Sequence, residues 1–482
     1  MTAKESGDRS AGAGRVPQIE IHSIDYIPER ERHGHAWQQG PFWFVLNLHP
    51  FTLALGLIGP SLSLSMGWTV LAGAVGLLLG TVLMAFHAAQ GPRLGLPQMV
   101  QSRPQFGYRG AITPMLVSVL TFGGFFVLTV LIIAQGLKQI FGWNTTLIAL
   151  IASLIGLLLA VFGHDWLHWI FRVLFVASLP LWLVLSAEII IGNLNTSPSP
   201  PEGFTWVAFM VQFTVSTSYT LTYAPSVSDY TRYLPSRTSA WRLLTWVVLG
   251  TCGSSIWLMA LGAWTATRLA AADPIVGIRD AGNLITGGFG SALALLSVGI
   301  LTATVGFETY SAALSTIAAL DSVKPLQPTR RVRVAVSTLV AVICASITLS
   351  LLNSSVQTTL SNILLLLLYL IVPWSAVNLV DFFLVRRGRY AILDLFTPAG
   401  IYGSWAWRGL VAYTLGLAAE VPFFSLTFWS GPGADALSGV DIAFAVGLTV
   451  AAILYFALST TLDLSAERPA IARSNDQLAS QE

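Results

Sequence analysis

Twelve apolar runs, each long enough to cross about 30 Å of hydrocarbon, constrain this chain more than any other feature. They fall roughly at 42–60, 69–89, 112–136, 145–163, 169–191, 205–227, 242–266, 289–320, 334–352, 357–384, 406–429 and 440–462. Inside a bilayer the backbone must satisfy its own hydrogen bonds, which helices of this length do. The low charge agrees: 10% of residues are Asp, Glu, Lys or Arg, against about 25% in soluble proteins. The sequence therefore predicts an all-α polytopic membrane protein with 12 transmembrane helices. Its 482 residues divide by spans rather than by soluble domains.

An even number of spans puts both termini on one side, and the basic residues choose it. With the N-terminus inside, 22 of the 25 Lys and Arg residues fall on the inner face, and only Lys138, Arg268 and Arg279 fall outside. This basic excess sits in short loops, so the net charge of +2 gives no reason to expect nucleic acid. Residues 1–40 carry six acids and five Lys or Arg and lack the apolar core of a signal peptide. They read as a disordered or surface-lying cytoplasmic tail. Cys252 and Cys344 lie in apolar runs and read as small packed hydrophobes rather than a disulfide framework.

The first span is not built merely to anchor. Asn47, His49 and Pro50 sit near its middle. Proline has no N–H to donate, and its ring clashes with the carbonyl one turn back, so the helix is expected to open there. Backbone opened at bilayer depth is tolerated only where it lines a cavity or is covered by protein. Span 6 is the natural partner. It carries the hydroxyl-rich run Thr214-Val215-Ser216-Thr217-Ser218-Tyr219-Thr220-Leu221-Thr222-Tyr223 and ends at Pro225. Any one of these hydroxyls can simply bond back to its own helix. As a cluster five spans from the first break, they fit two equivalent broken helices of a 5+5 inverted repeat, with a substrate held between them.

Several stretches resemble the nucleobase:cation symporter family, in its purine–cytosine permease branch. They are 19–32 ahead of span 1, the Asn47-Leu48-His49-Pro50 break, and 91–107, which opens Gly91-Pro92-Arg93-Leu94-Gly95-Leu96-Pro97. To these are added Ser228-Asp229-Tyr230-Thr231-Arg232-Tyr233-Leu234-Pro235 and Tyr310-Ser311-Ala312-Ala313-Leu314-Ser315. The resemblance implies a LeuT-like fold: a 5+5 inverted repeat with broken helices 1 and 6, plus two C-terminal helices. On that plan 1–40 is a cytoplasmic tail and 41–465 the transporter domain, with repeats at about 41–192 and 204–385 and extra helices at about 405–462. Residues 466–482 form a cytoplasmic C-terminal tail. The resemblance also implies secondary uptake of a purine, cytosine or similar heterocycle across the cytoplasmic membrane, coupled to Na⁺ or H⁺. No other cofactor, no nucleic acid and no obligatory protein partner is expected.

A nucleobase offers π faces for stacking and a polar edge for hydrogen bonds. The family's aromatic on span 3 corresponds to Phe125, where relatives tend to have Trp, and Thr129 lies one turn on. The span 6 counterpart is Tyr219, Thr220 or Tyr223, with Thr222 beside them. Glu308, midway along span 8, is the most unusual residue, since an ionisable group at bilayer depth is costly and functional by default. It can accept from a base edge, where related permeases often have Asn, or carry the coupled proton, because loss of water favours a neutral carboxyl. The expected substrate-binding set is thus Asn47, Phe125, Thr129, Tyr219, Thr220, Thr222, Tyr223 and Glu308.

By the same resemblance the cation-coupling set is Phe44, Asn47, Ile300, Thr304 and Glu308. The first three give carbonyls, and Thr304 belongs to a hydroxyl pair whose other position is Ala303. Ala303 has no oxygen to offer, and a hard cation wants several. The balance therefore favours H⁺ over Na⁺. Glu188 and Glu420 fit the interface or packing better. His164 and His168 stand one helical turn apart but lack the other marks of a metal site. The alternatives to a symporter are a non-transporting membrane sensor, for which the tails carry no domain, and a membrane-embedded enzyme, for which acids and histidines are not clustered.

Overall fold

The structure, a computed structural model, describes residues 25–480 except 163, 195, 197–202, 325, 327 and 328, and the side chains at 164–166 and 168. The His164 and His168 imidazoles lie outside that set. The first expected span is two helices, α1 (Gln39–Leu46) and α2 (Pro50–Ser61), bent by 63°. Pro50 is the first residue of α2, where its missing N–H costs nothing and its fixed φ favours the helix. Three long helices follow: α3 (Met66–Ala88), α4 (Ile112–Phe141) and α5 (Thr145–Phe162). After α6 (His164–Ile191) comes the second broken span, α7 (Trp206–Leu221) and α8 (Ala224–Thr231), with Pro225 in the first turn of α8.

Beyond it run α9 (Ala240–Leu269), the short α10 (Pro274–Asn283) and α11 (Phe289–Val323). Then come α12 (Arg330–Leu351), α13 (Val356–Val380), α14 (Trp407–Glu420), α15 (Ala443–Ser459) and α16 (Leu464–Ala479). Among the described residues eight helices are long and apolar enough to cross a membrane, or up to ten spans if each of two bent pairs counts as one. The second bent pair is α15 and α16, which meet at 90°. The expected runs at 205–227 and 406–429 are helical but fall short of that length. The first is interrupted after Leu221, and α14 gives way at Val421–Phe423 to a hairpin of β1 (Ser425–Leu426) and β2 (Trp429–Ser430).

The spans pack where small residues permit. Helix α3 lies on α7 because a Cβ at Gly76 or Gly80 would strike the carbonyls of Phe213 and Thr217. Helix α11 runs along α4, and α9 packs on α1, α2 and α3. The outer faces are apolar. Leu147, Leu150, Leu154 and Leu158 recur on one side of α5 and are each about half exposed, which suits lipid and not water.

Polar contacts tie the loops together at the end that carries the basic residues. The backbone N–H of Gln98 donates to Asp229 at 2.9 Å, and Ser228 donates to the His87 carbonyl at 3.0 Å. The first of these bonds joins the 91–107 and 228–235 stretches that carry the family resemblance. The segment from residue 25, expected as tail, packs here too. Ile27 is fully buried and its N–H reaches the Gly95 carbonyl, while Arg32 donates to the carbonyls of Ile27 and Pro92. Gly95 has φ +65°, and a Cβ there would meet the Arg32 guanidinium, so no other residue fits without strain. Arg103 closes the same end through Asp321 of α11 at 2.8 Å.

At the other end Asp273 caps α10, its carboxylate accepting from the N–H groups of Ile275 at 2.8 Å and Val276 at 3.0 Å. Burial pushes its carboxyl up to about 6 from 3.8, with the two amide bonds pulling the other way. The folded protein therefore holds this proton more tightly than the unfolded chain, and stability falls as pH rises from about 4 to about 6. Asp273→Asn keeps the cap and removes that dependence. Thermal unfolding of the detergent-solubilised protein across this range reads the difference; an identical pH slope in the variant contradicts it.

Candidate functional site

The break in the first span is held from several sides. Helix α1 ends at Asn47, and the backbone then runs extended through His49 before α2 begins. The Asn47 side chain donates to the Trp43 carbonyl at 2.7 Å. Its amide oxygen accepts from the Tyr219 hydroxyl at 2.7 Å, and that hydroxyl also bonds Thr52 at 2.8 Å. Thr52 in turn donates to the Asn47 backbone carbonyl at 2.7 Å. Carbonyls freed by the break are thus satisfied by Asn47 and Thr52 of the same span, and Tyr219 of the second broken span ties those two side chains down, as a buried backbone requires.

Aromatic rings gather around this junction. Phe125 of α4 stacks on Tyr223 with centroids 5.7 Å apart and meets Tyr219 edge-on at 6.1 Å. Phe51 completes the group, 5.2 Å from Phe125 and 5.6 Å from Tyr219. Trp43 closes on Tyr223 at 5.8 Å. Toward the basic end, Tyr230 stacks on Phe307 at 5.9 Å and lies 4.8 Å from Phe42. Glu308 is 2% exposed and accepts at 2.9 Å from Thr129, one helical turn beyond Phe125 on α4. Its second oxygen has no hydrogen-bond partner, and neither has the indole N–H of Trp43. A buried acceptor and a buried donor beside flat ring faces are chemically matched to a planar ligand with a polar edge.

The structure thus gathers Asn47, Phe125, Tyr219 and Tyr223 and pairs Thr129 with Glu308. Other expected residues point elsewhere. Thr220 donates to the Leu77 carbonyl of α3 at 3.2 Å, and Thr222 bonds back to the carbonyls of Ser218 and Tyr219. Thr304 donates to the Ile300 carbonyl one turn back at 3.0 Å, with Ala303 buried beside it. Phe44 was expected through its carbonyl, and its ring packs on Phe175 and Trp257. Glu188 bonds Asn193 on an exposed surface, while Glu420 is buried against Gly447. Sequence reasoning missed Trp43, Phe51 and Thr52. Their one available signal was position: Phe51 and Thr52 follow Pro50 directly, and Trp43 lies one turn before Asn47.

Tyr219 is the hinge of this arrangement. Tyr219→Phe leaves the Asn47 amide oxygen short of its buried donor, at a cost of about 1–3 kcal/mol. The expected outcome is a lower Tm for the purified protein with its helical circular-dichroism signal intact. A Tm equal to that of the unaltered chain contradicts the bridging role.

Residues 26–447 match the family described as permease for cytosine/purines, uracil, thiamine, allantoin. A putative purine-cytosine permease of Bacillus subtilis, YxlA, is 34% identical over 92% of this chain and 96% of its own length. The hydantoin permease of Microbacterium maritypicum is 24% identical over 81% of this chain and 83% of its own. In fold the chain is similar to Mhp1, a nucleobase-cation-symport-1 family transporter, in its closed conformation with bromovinylhydantoin bound. The TM-score is 0.73 at 21% identity, covering 95% of this chain and 99% of that one. The expected LeuT-like architecture is confirmed by that likeness. The chain belongs to the cytosine/purine permease family, and it is a membrane transporter and not an enzyme.

Proposed function

We propose that this protein imports a nucleobase or a closely related heterocycle by cation symport, with the proton as the coupling ion and both termini in the cytoplasm. The observation that carries the reading is Glu308, a buried carboxyl with one oxygen held by Thr129 and the other without a partner, set beside the aromatic cage. Phe125, Tyr219 and Tyr223 supply faces on which a base stacks irrespective of its identity. Glu308 and Asn47 supply the polar edge that discriminates among bases. The rings now touch one another, so a base enters by parting them. That movement strains the contacts made by Phe51 and Tyr219, both on broken spans, and so links binding to the geometry of the breaks.

Support for the substrate class comes from the relatives, whose names specify purines, cytosine and hydantoin. Support for the proton comes from chemistry. The hydroxyl pair expected for Na⁺ is reduced to Thr304, because Ala303 adds no ligand. Glu308 can take up and release a proton on the substrate pathway itself. Support for the orientation is the 22-to-3 distribution of basic residues.

Uptake of radiolabelled cytosine, adenine, uracil and hydantoin into cells expressing the protein tests the reading. Each is measured at two pH values with Na⁺ present or replaced by choline. Accumulation driven by low external pH and indifferent to choline is expected; no accumulation of any of the four overturns the proposal. Glu308→Gln abolishes concentrative uptake, and pH-driven accumulation undiminished in that variant refutes the proton role. Phe125→Ala weakens substrate binding by roughly 1–3 kcal/mol through lost stacking. Unchanged affinity removes Phe125 from the site.

A further inference from the structure

At the basic end, away from the broken spans, α13 continues into a wide turn at Asp381–Val385. Arg386 follows and is buried. Its guanidinium bonds Asp381 at 2.6 Å and Glu467 of α16 at 2.9 Å. Asp381 also accepts from Gln105, Tyr390 and Tyr455. This network fixes α16 across the end of α13, at right angles to α15. Between these elements lies a cavity of about 440 Å³.

Its lining is amphipathic in a specific way. Arg387, Arg389 and Arg468 all face it and are exposed. Among the described residues none of the three has a carboxylate within ion-pair distance; Arg387 reaches only the Leu384 carbonyl, at 3.4 Å. Glu467, the acid in the lining, is already engaged by Arg386 through three hydrogen bonds. Three like charges line the cavity and outnumber the acids around it, Glu467 being taken up by Arg386 and Asp463 lying near Arg468. Arg387 is also held at φ +53°, a left-handed conformation costly for a residue with a side chain. Beside the charges, Leu384 and Phe456 are 54% and 51% exposed, and they continue the lipid-facing sides of α13 and α15.

We infer that this cavity binds the headgroup of an anionic phospholipid, its phosphate against Arg387, Arg389 and Arg468 and an acyl chain along Leu384 and Phe456. Guanidinium groups suit phosphate geometry, and basic pockets between spans favour anionic headgroups. The exposed apolar flank is what separates a lipid from a small soluble anion. A free phosphate uses the arginines alone. Bound here, the lipid bridges α13 and α16 and reinforces the join that Arg386 makes.

The test uses the full-length protein purified in neutral detergent, titrated with phosphatidylglycerol, phosphatidylcholine or inorganic phosphate and read by native mass spectrometry and thermal unfolding. Phosphatidylglycerol is expected to remain bound and raise Tm, and phosphatidylcholine to do neither. The triple substitution Arg387→Gln, Arg389→Gln, Arg468→Gln weakens phosphatidylglycerol binding by roughly 100-fold, as the loss of three juxtamembrane cations implies. Arg389→Gln alone weakens it by about fivefold and serves if the triple variant does not fold. Equal retention of both lipids overturns the inference, as does unchanged phosphatidylglycerol binding in the variants. An equal rise in Tm with inorganic phosphate alone makes this a simple anion site and overturns the lipid assignment.

Discussion

A peptide group inside a bilayer must have a partner, and the whole arrangement follows from how this chain meets that demand at Asn47–His49. Helix α1 stops and α2 restarts at Pro50, leaving backbone groups outside both helical ladders. Side chains on either side of the break supply their partners, and the second broken span holds those side chains in place. Tyr219 reaches across to the Asn47 amide and Thr52, and Thr52 covers the Asn47 carbonyl. Once Tyr219 is committed there, its ring is fixed against Phe51 and Phe125. The aromatic cluster and the break are therefore joined through one residue. On the proposed function, binding a flat ligand there and shifting the broken helices are linked through Tyr219.

Glu308 adds the second constraint. A carboxyl at bilayer depth is costly, and Thr129 satisfies only half of it. The remaining oxygen is a standing demand for a proton, a substrate N–H, or each in turn. Further toward the basic end, Tyr230, Phe307 and Phe42 pack on one another, and bonds such as Gln98 to Asp229 and Arg103 to Asp321 bind the loops beneath.

Much of this was legible in the sequence, and for identifiable reasons. Pro50 cannot continue a helix whatever its surroundings, so the first break follows from covalent structure. Glu308 declares itself because apolar surroundings make one carboxyl conspicuous. The paired run ending at Pro225 marked the second break. What sequence could not settle was direction. Thr220 and Thr222 sit in the same hydroxyl-rich run as Tyr219, yet one turns to α3 and the other bonds back to its own helix. A hydroxyl's partner depends on helix rotation, which one sequence does not report. Phe51 and Trp43 looked like ordinary span residues because aromatic packing and aromatic stacking leave the same composition. The run at 406–429 was read as continuous, because hydropathy sees the apolar residues around Pro422 and not the backbone turn.

The most direct measurement is the position of a bound base. A structure of the protein determined with cytosine or adenine should place the ring against Phe125 and Tyr223, its polar edge toward Glu308, and the four-ring packing opened. A base bound elsewhere, with Phe51, Phe125, Tyr219 and Tyr223 still packed on one another, would contradict the account.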